Sequence, residues 1–380
     1  MVHPSERGSN YVKKGFDDII KYTMVYLDYA ATSPLLPGVI KAMHEAERKY
    51  FANASALHTP GHLSMNRIEE SRELLAQLIN AELDEIIFTS GASESNNTVI
   101  RTFENHKIIT SPIEHHSIIV AAKELGGTKK PVLYSYMYAN NEIGEFLPIK
   151  DIVRKAHTEG GYVHSDLTQA LGKVQLDVKA LDLDYATFSA HKIGGPIGVG
   201  ALYVKKGAPF KPLIIGGNQE KHRRGSTYNT VGIIGFGAAL KYVLENETWK
   251  TYDTKIRRLR DNLARRILVE VSGSSLNTDL NNSLPNILNV SFEAAEGESI
   301  QLYLDAEGIV VSTGSACASG DIKPSHVLMA KTGDAEVAHS SIRFSFGLDN
   351  TGEDVEKVMA VLPKVIDRLQ KISTVERRTK

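Results

Sequence analysis

Between Asp84 and Val204 the chain alternates short β-branched or aromatic runs with longer helix-forming stretches, and few folds accommodate that rhythm. Glu85–Thr89, Lys107–Thr110, Pro131–Tyr136, Tyr162–Asp166, Ala186–Ser189 and Gly200–Val204 read as strands. Ser93–Phe103, Ile118–Leu125 and Ile149–Thr158 read as helices between them. Strand and helix in turn imply an α/β fold, a mostly parallel sheet with helices on its faces.

The C-terminal third has a different pattern. Tyr252, Ile256, Leu259, Leu263 and Ile267 recur every three or four residues, which predicts a long amphipathic helix. A strand (Ile287–Phe292), a helix (Ser299–Glu307) and two further strands (Ile309–Ser312, Ile342–Phe346) follow. A last helix starts near Thr351, with Asp354 placed for a capping box. Val355, Val358, Leu362, Ile366 and Leu369 are its apolar stripe, and Pro363 predicts a kink. A chain of 380 residues exceeds what one core supports, roughly 250–300 residues. Two domains are expected: a large sheet domain over 26–247, and a smaller α+β domain over 248–380 together with segment 1–25.

Charge and cysteine content narrow the function. Lys and Arg number 44 against 45 Asp and Glu, so no surplus of positive charge equips the chain for nucleic acid or an anionic membrane surface. No uncharged apolar run reaches the ~18 residues of a membrane span. The lone cysteine, Cys317, excludes an intrachain disulfide and a Cys-based structural zinc site, and no metal is expected. The first 25 residues lack an apolar core and contain Glu6, Asp17 and Asp18, unlike a secretory signal or a transit peptide. A cytoplasmic location is expected.

The common nucleotide and hydrolase motifs are missing: there is no GxGxxG, GxSxG or HExxH, and Gly172-Lys173 lacks the Ser or Thr of a phosphate loop. Four segments at strand ends could carry chemistry. Thr89-Ser90-Gly91-Ala92-Ser93 joins a strand to a helix start, which suits an anion or is an ordinary turn with Ser93 as cap. Asp166 ends a parallel strand, where α/β sheets bind ligands, or caps a helix. Lys192 lies between a buried strand and a Gly-Gly-Pro turn, as a reactive amine or as a surface lysine. Cys317 sits among small residues, which favours an accessible thiol over a core cysteine. A phosphate nest, an acid, a lysine on the next strand and a second domain together describe a pyridoxal 5'-phosphate (PLP) enzyme, in which a lysine forms a Schiff base and an Asp partners the pyridinium nitrogen.

From about Tyr26 to Gln370 the sequence resembles the class V aminotransferase-like PLP enzymes of fold type I, and within them the cysteine desulfurases of the NifS/IscS type. The resemblance rests on the motifs starting at Tyr26 (YLDYAAT), Thr89 (TSGASESNN), Glu114 (EH), Asn140 (NNEIG), Asp166 (DLTQ), Ser189 (SAHK), Arg224 (RGST), Gly314 (GSAC) and Ser341 (SIRFS), in that order. It implies that Lys192 is the Schiff-base lysine and Asp166 the pyridinium partner. Gln169 would bond the cofactor's phenolic oxygen, and Ala92, Ser93, Ser189 and His191 would hold its phosphate. Thr227 would reach the phosphate of the other subunit, which implies a homodimer. His115 would stack on the ring and move protons, while Asn141 and Arg343 would hold the substrate carboxylate. Cys317 would attack the sulfur of L-cysteine and become a persulfide as alanine leaves. The GSAC arrangement resembles enzymes that hand this sulfur to an acceptor protein such as an iron–sulfur scaffold.

Three departures stand out. Ser117–Lys130 leaves room for about one strand-helix unit less than the family usually carries between His115 and Asn140. Residues 1–24 extend beyond the usual start. The C-terminus lacks the long tail by which relatives dock a scaffold. Alternative readings are a selenocysteine lyase, another class V aminotransferase-like enzyme, or a non-catalytic protein on this fold.

Overall fold

The computed structural model describes residues 24–313 and 324–373. Its strands in chain order are β1 (Val25–Tyr26), β2 (Ile86–Thr89), β3 (His106–Thr110), β4 (Lys129–Ser135), β5 (Tyr162–Asp166), β6 (Tyr185–Ser189), β7 (Gly200–Val204), β8 (Ser274–Leu276), β9 (Ile287–Phe292), β10 (Ile309–Val310) and β11 (Ser341–Ser345). Six form one sheet in the order β2-β7-β6-β5-β4-β3. The pairs from β3 to β6 are parallel, and β7 runs against both β6 and β2. β2, β6 and β7 are buried along their whole length, so each reads as an apolar run rather than an alternation. The strands expected from the sequence form to within two residues of their ends, and β1 and β8 are additional.

Two large apolar clusters organise the packing. Phe88, Phe188, Leu171 and Leu240 belong to the cluster on the large sheet. Leu263, Phe292, Phe344 and Leu362 belong to the other, built on the antiparallel sheet β11-β9-β8 and the C-terminal helix. Each of these side chains is nearly or wholly buried, and full burial stabilises by about 1.5–3 kcal/mol per side chain. β1 pairs with β10, and Val25 and Leu27 join the second cluster, so the start of the described chain packs with its C-terminal third.

The amphipathic helix expected around Tyr252–Ile267 is interrupted. Thr248–Thr251 leads into a wide π turn at Tyr252–Ile256 before Arg257–Glu270 continues, and the extra residue per turn keeps both Tyr252 and Ile256 buried. The capping box of Thr351 and Asp354 forms, and its helix continues through Pro363 to Ile372. Among the described residues no helix is long and apolar enough to cross a membrane.

One unusual loop borders the sheet. Glu220, Lys221 and His222 all have left-handed backbone, with φ of 48°, 56° and 64°. Conformations of this kind cost energy in non-glycine residues and persist only where their surroundings hold them. Here the buried Glu220 carboxylate grips the Arg72 guanidinium with both oxygens at 2.8 Å and accepts the Phe88 N–H at 3.1 Å. Removing Glu220 would leave Arg72 its pair with Glu69 at 3.1 Å, but would take away two buried charge-assisted hydrogen bonds and orphan the Phe88 N–H. Glu220→Ala should therefore destabilise the protein by about 1.5–3 kcal/mol in urea unfolding. Lys221→Ala, which removes only an exposed pair with Asp84, should leave the midpoint unchanged. Equal midpoints for the two variants would show that the pair does not hold the loop.

Candidate active site

The ends of β2, β5 and β6 open into a cavity of about 440 Å³. Ala92, Ser93, His115, Asn141, Asp166, Gln169, Ser189, His191, Lys192 and Arg343 all line it. Ten of the twelve site residues expected from the sequence are thus brought together from segments spread over most of the chain.

One wall of the cavity starts at β2. The helix Ala92–Thr102 has Gly91 as N-cap, which supplies no side-chain cap, so Ser93 lies inside the first turn rather than capping it. The N–H groups of this turn have no intrahelical acceptor, and the positive end of the helix dipole lies there. The turn can come this close because β7 carries Gly200: a Cβ there would lie 2.8 Å from the Gly91 Cα and 2.5 Å from the Phe188 carbonyl oxygen. His191 also lines this region. Burial, with Lys192 and Lys173 adding to it, pushes its pKa down to about 4, so it is neutral there.

Lys192 stands on a short 3₁₀ turn, Ala190–Ile193, directly after β6. The turn exits through Gly194 at φ +77°, where a Cβ would collide with Leu36 at 2.6 Å. The Lys192 Nζ donates to the carbonyl oxygens of Ala30 (2.5 Å) and Ala31 (2.6 Å).

Asp166 ends β5 with 8% of its surface exposed. No helix follows it; its Oδ1 accepts the Thr168 N–H, and its Oδ2 accepts from Asn96 Nδ2, both at 2.9 Å. Gln169 donates through Nε2 to Ala30 O (3.0 Å) and accepts through Oε1 from Lys173 (3.2 Å). The Gln169 amide is therefore oriented by a lysine that is itself fully enclosed, and whose pKa burial pushes down to about 7. Lys192 and Arg343 push it the same way.

The opposite wall comes from the C-terminal third. Arg343, on β11, is buried and donates to Asp28 Oδ1 (2.7 Å) and to the Asn141 carbonyl (2.9 Å). Its Nε has no partner among the described residues. Asp28 thus holds one edge of a planar fork that keeps donors in reserve for a carboxylate. Behind Asn141, Glu142 is enclosed and accepts from Ser325, and burial raises its pKa to about 7. Glu114, next to His115, accepts the Met137 N–H with both oxygens, and burial raises its pKa well above the usual carboxylate range.

Two expected site residues are not on this wall. Thr227 lines a neighbouring cavity of about 200 Å³, which shares Ser90 and Gly198 with the main one. Cys317 lies outside the described residues. Sequence reasoning missed Asp28, Asn96, Ser117, Thr168 and Lys173. Asp28 sits inside the YLDYAAT motif, Asn96 inside TSGASESNN, Thr168 inside DLTQ and Lys173 in the Gly172-Lys173 pair, so these four had a signal; Ser117 touches the site only through pairings that the fold creates.

Comparison with known proteins identifies the family. The family model for class-V aminotransferases matches residues 25–131 and 126–358. A cysteine desulfurase IscS of Dictyoglomus turgidum is 41% identical over 92% of this chain and 96% of its own. A cysteine desulfurase of a Nostoc species is 36% identical over 92% and 95%. The solved structure of a NifS-like protein from Rickettsia africae superposes with a TM-score of 0.82 at 30% identity, covering 90% of this chain and 99% of that one. A structure described as SspA in complex with cysteine gives 0.72 at 31% identity, covering 84% and 98%. The chain belongs to the class-V aminotransferase family, among its cysteine desulfurases of the NifS/IscS type.

Proposed function

We propose that this protein is a PLP-dependent cysteine desulfurase that removes sulfur from L-cysteine, releases L-alanine and carries the sulfur as a persulfide on Cys317. The observation that carries the reading is the convergence, on one cavity, of an amine (Lys192), a buried acid (Asp166), an uncapped helix start (Ala92, Ser93) and a guanidinium (Arg343). The residues present fit the cofactor. Thr168 Oγ1 is buried at the cavity wall with no hydrogen-bond partner among the described residues, as a group awaiting a ligand would be. The donor set also suits a phosphorylated pyridine: the first-turn N–H groups and Ser189 for the phosphate, Asp166 for the ring nitrogen, and Gln169 Nε2 for the phenolic oxygen. When bound, PLP supplies an aldehyde that condenses with amines and a ring that accepts the electron pair left at the substrate Cα.

The residues of the chain do the rest. Arg343 and Asn141 seat the substrate carboxylate, which fixes the Cα–H bond near Lys192. Lys192 would take the Cα proton, and Asp166 would hold the pyridine nitrogen protonated. His115 would offer its ring as a stacking face for the cofactor. The Cys317 thiolate attacks the substrate sulfur: an S–S bond forms, the C–S bond breaks, and its electron pair stays with the carbon that becomes the alanine methyl group once protonated.

The protein is proposed to act as a homodimer. Thr227 would complete the phosphate site of the second subunit from its separate cavity. Ile197, on the rim of the site, and Ile215, beside the Thr227 loop, are 78% and 88% exposed and would be covered by that contact. We further propose the two-domain division at residue 247, a cytoplasmic location suited to a single free thiol, and delivery of sulfur to an acceptor such as an iron–sulfur scaffold.

Three outcomes test these assignments. Purified protein should be yellow and bind PLP, and Lys192→Ala should lose both turnover and the reducible covalent attachment of the cofactor; attachment that survives would point to another lysine. Cys317→Ser should still bind PLP and respond spectrally to L-cysteine, but alanine release should fall on the order of a hundredfold or more, with no persulfide mass shift. Near-normal alanine from that variant would make the enzyme a lyase that frees sulfur directly. Light scattering should report twice the monomer mass, against which a monomer with full PLP occupancy would stand.

A further inference from the structure

His115 is the N-cap of the helix His116–Leu125. Its Nδ1 accepts the Ser117 backbone N–H at 3.2 Å and meets the Ser117 hydroxyl at 2.7 Å. A backbone N–H can only donate, so Nδ1 presents a lone pair. Ser117 Oγ in turn accepts from Asn96 Nδ2 at 2.9 Å, and the same Nδ2 donates to Asp166 Oδ2 at 2.9 Å. With Oγ engaged by Asn96, the hydroxyl proton is directed at the imidazole. The donors therefore point one way, from Asn96 to Ser117 to His115, and the chain is anchored on the Asp166 carboxylate.

We infer that Asn96 and Ser117 are positioning residues that hold His115 as the neutral Nε2–H tautomer, so that it offers a hydrogen-bond donor to the cavity and takes up no proton there. To become imidazolium, His115 must place a proton on Nδ1, against two donors already aimed at that atom. The positive end of the helix dipole opposes a cation at the same place. Burial lowers the His115 pKa, and Lys192, His116 and His326 act in the same direction; Asp166 alone opposes them. Nε2 has no partner among the described residues, while the ring lines the cavity. The inference rests on the desulfurase reading for its chemical meaning and narrows it: the proton transfers that the family resemblance assigns to His115 fall to Lys192, and His115 contributes a stacking face and one fixed N–H. An Nε2–H can stabilise charge that develops on substrate or ring without itself changing charge.

The test is a long-range proton–nitrogen correlation spectrum of the PLP-loaded enzyme labelled with nitrogen-15 histidine, with His115→Asn identifying the signal. A protonated Nε2 and a bare Nδ1 are expected at neutral pH and above. Ser117→Ala removes one of the two donors, so the His115 midpoint should rise by about one pH unit. Ser117→Thr, which keeps the hydroxyl, should restore it. A protonated Nδ1 in the wild-type enzyme near neutral pH overturns the inference, and so does a Ser117→Ala spectrum identical to wild type. The functional reading fails on a separate measurement, alanine from L-cysteine in the same sample, and its failure would leave the tautomer assignment in place.

Discussion

An ammonium set at the end of a buried strand needs acceptors, and Lys192 takes two from the backbone, the carbonyls of Ala30 and Ala31. The segment that supplies them also ties the two halves of the site together. Ala30 O accepts from Gln169 as well, Ala30 N donates to Ser345 Oγ, and Asp28 pairs with Arg343. The spacing between the amine and the guanidinium is therefore ruled by a few covalently linked residues rather than by the looser fit of one apolar cluster against another. A substitution that lengthened or bent this segment would separate the two groups that must act on one small substrate.

The charges of the cavity follow from burial. Lys192 and Arg343 face it, with Lys173 behind, against the carboxylates of Asp166 and Asp28. Two more carboxyl groups lie close by, but enclosure pushes Glu142 up to about 7 and Glu114 well above its ordinary range, so neither supplies a full negative charge near neutrality. Lys173 is itself pushed down to about 7, so the formal charges nearly cancel, and the open helix start and the spare Arg343 donor are what suit anions. A phosphate suits the helix start and a carboxylate suits Arg343, and both ends of the proposed cofactor–substrate pair are anionic.

Much of the architecture is legible in the sequence because buried strands leave an unmistakable mark: Ile86–Thr89 and Tyr185–Ser189 are apolar runs between turn residues, and they form where expected. Site residues at strand ends, such as Asp166 and Lys192, are visible for the same reason. What stayed hidden depends on contacts across the chain. Asn96 lies in the TSGASESNN motif, but its part in the site emerges only when the fold sets it between Asp166 and Ser117. The carbonyls that receive Lys192 have no side-chain signature at all. Thr227 was expected from resemblance to other proteins, and it lines a separate cavity. The π turn at Tyr252–Ile256 was also out of reach, since its apolar spacing is close to that of an ordinary helix.

The order of strands has a consequence for how the chain assembles. β3, its following helix and β4 are close in sequence and can pair early, because closing a short loop costs little chain entropy. Among the described residues β2 instead pairs only with β7, joining Ile86 to Tyr203 and Thr89 to Gly200 across most of the large sheet's sequence. Contacts of such separation form late in folding. The Gly91 turn packs against Gly200, so this wall of the cavity is complete only once β2 and β7 have paired.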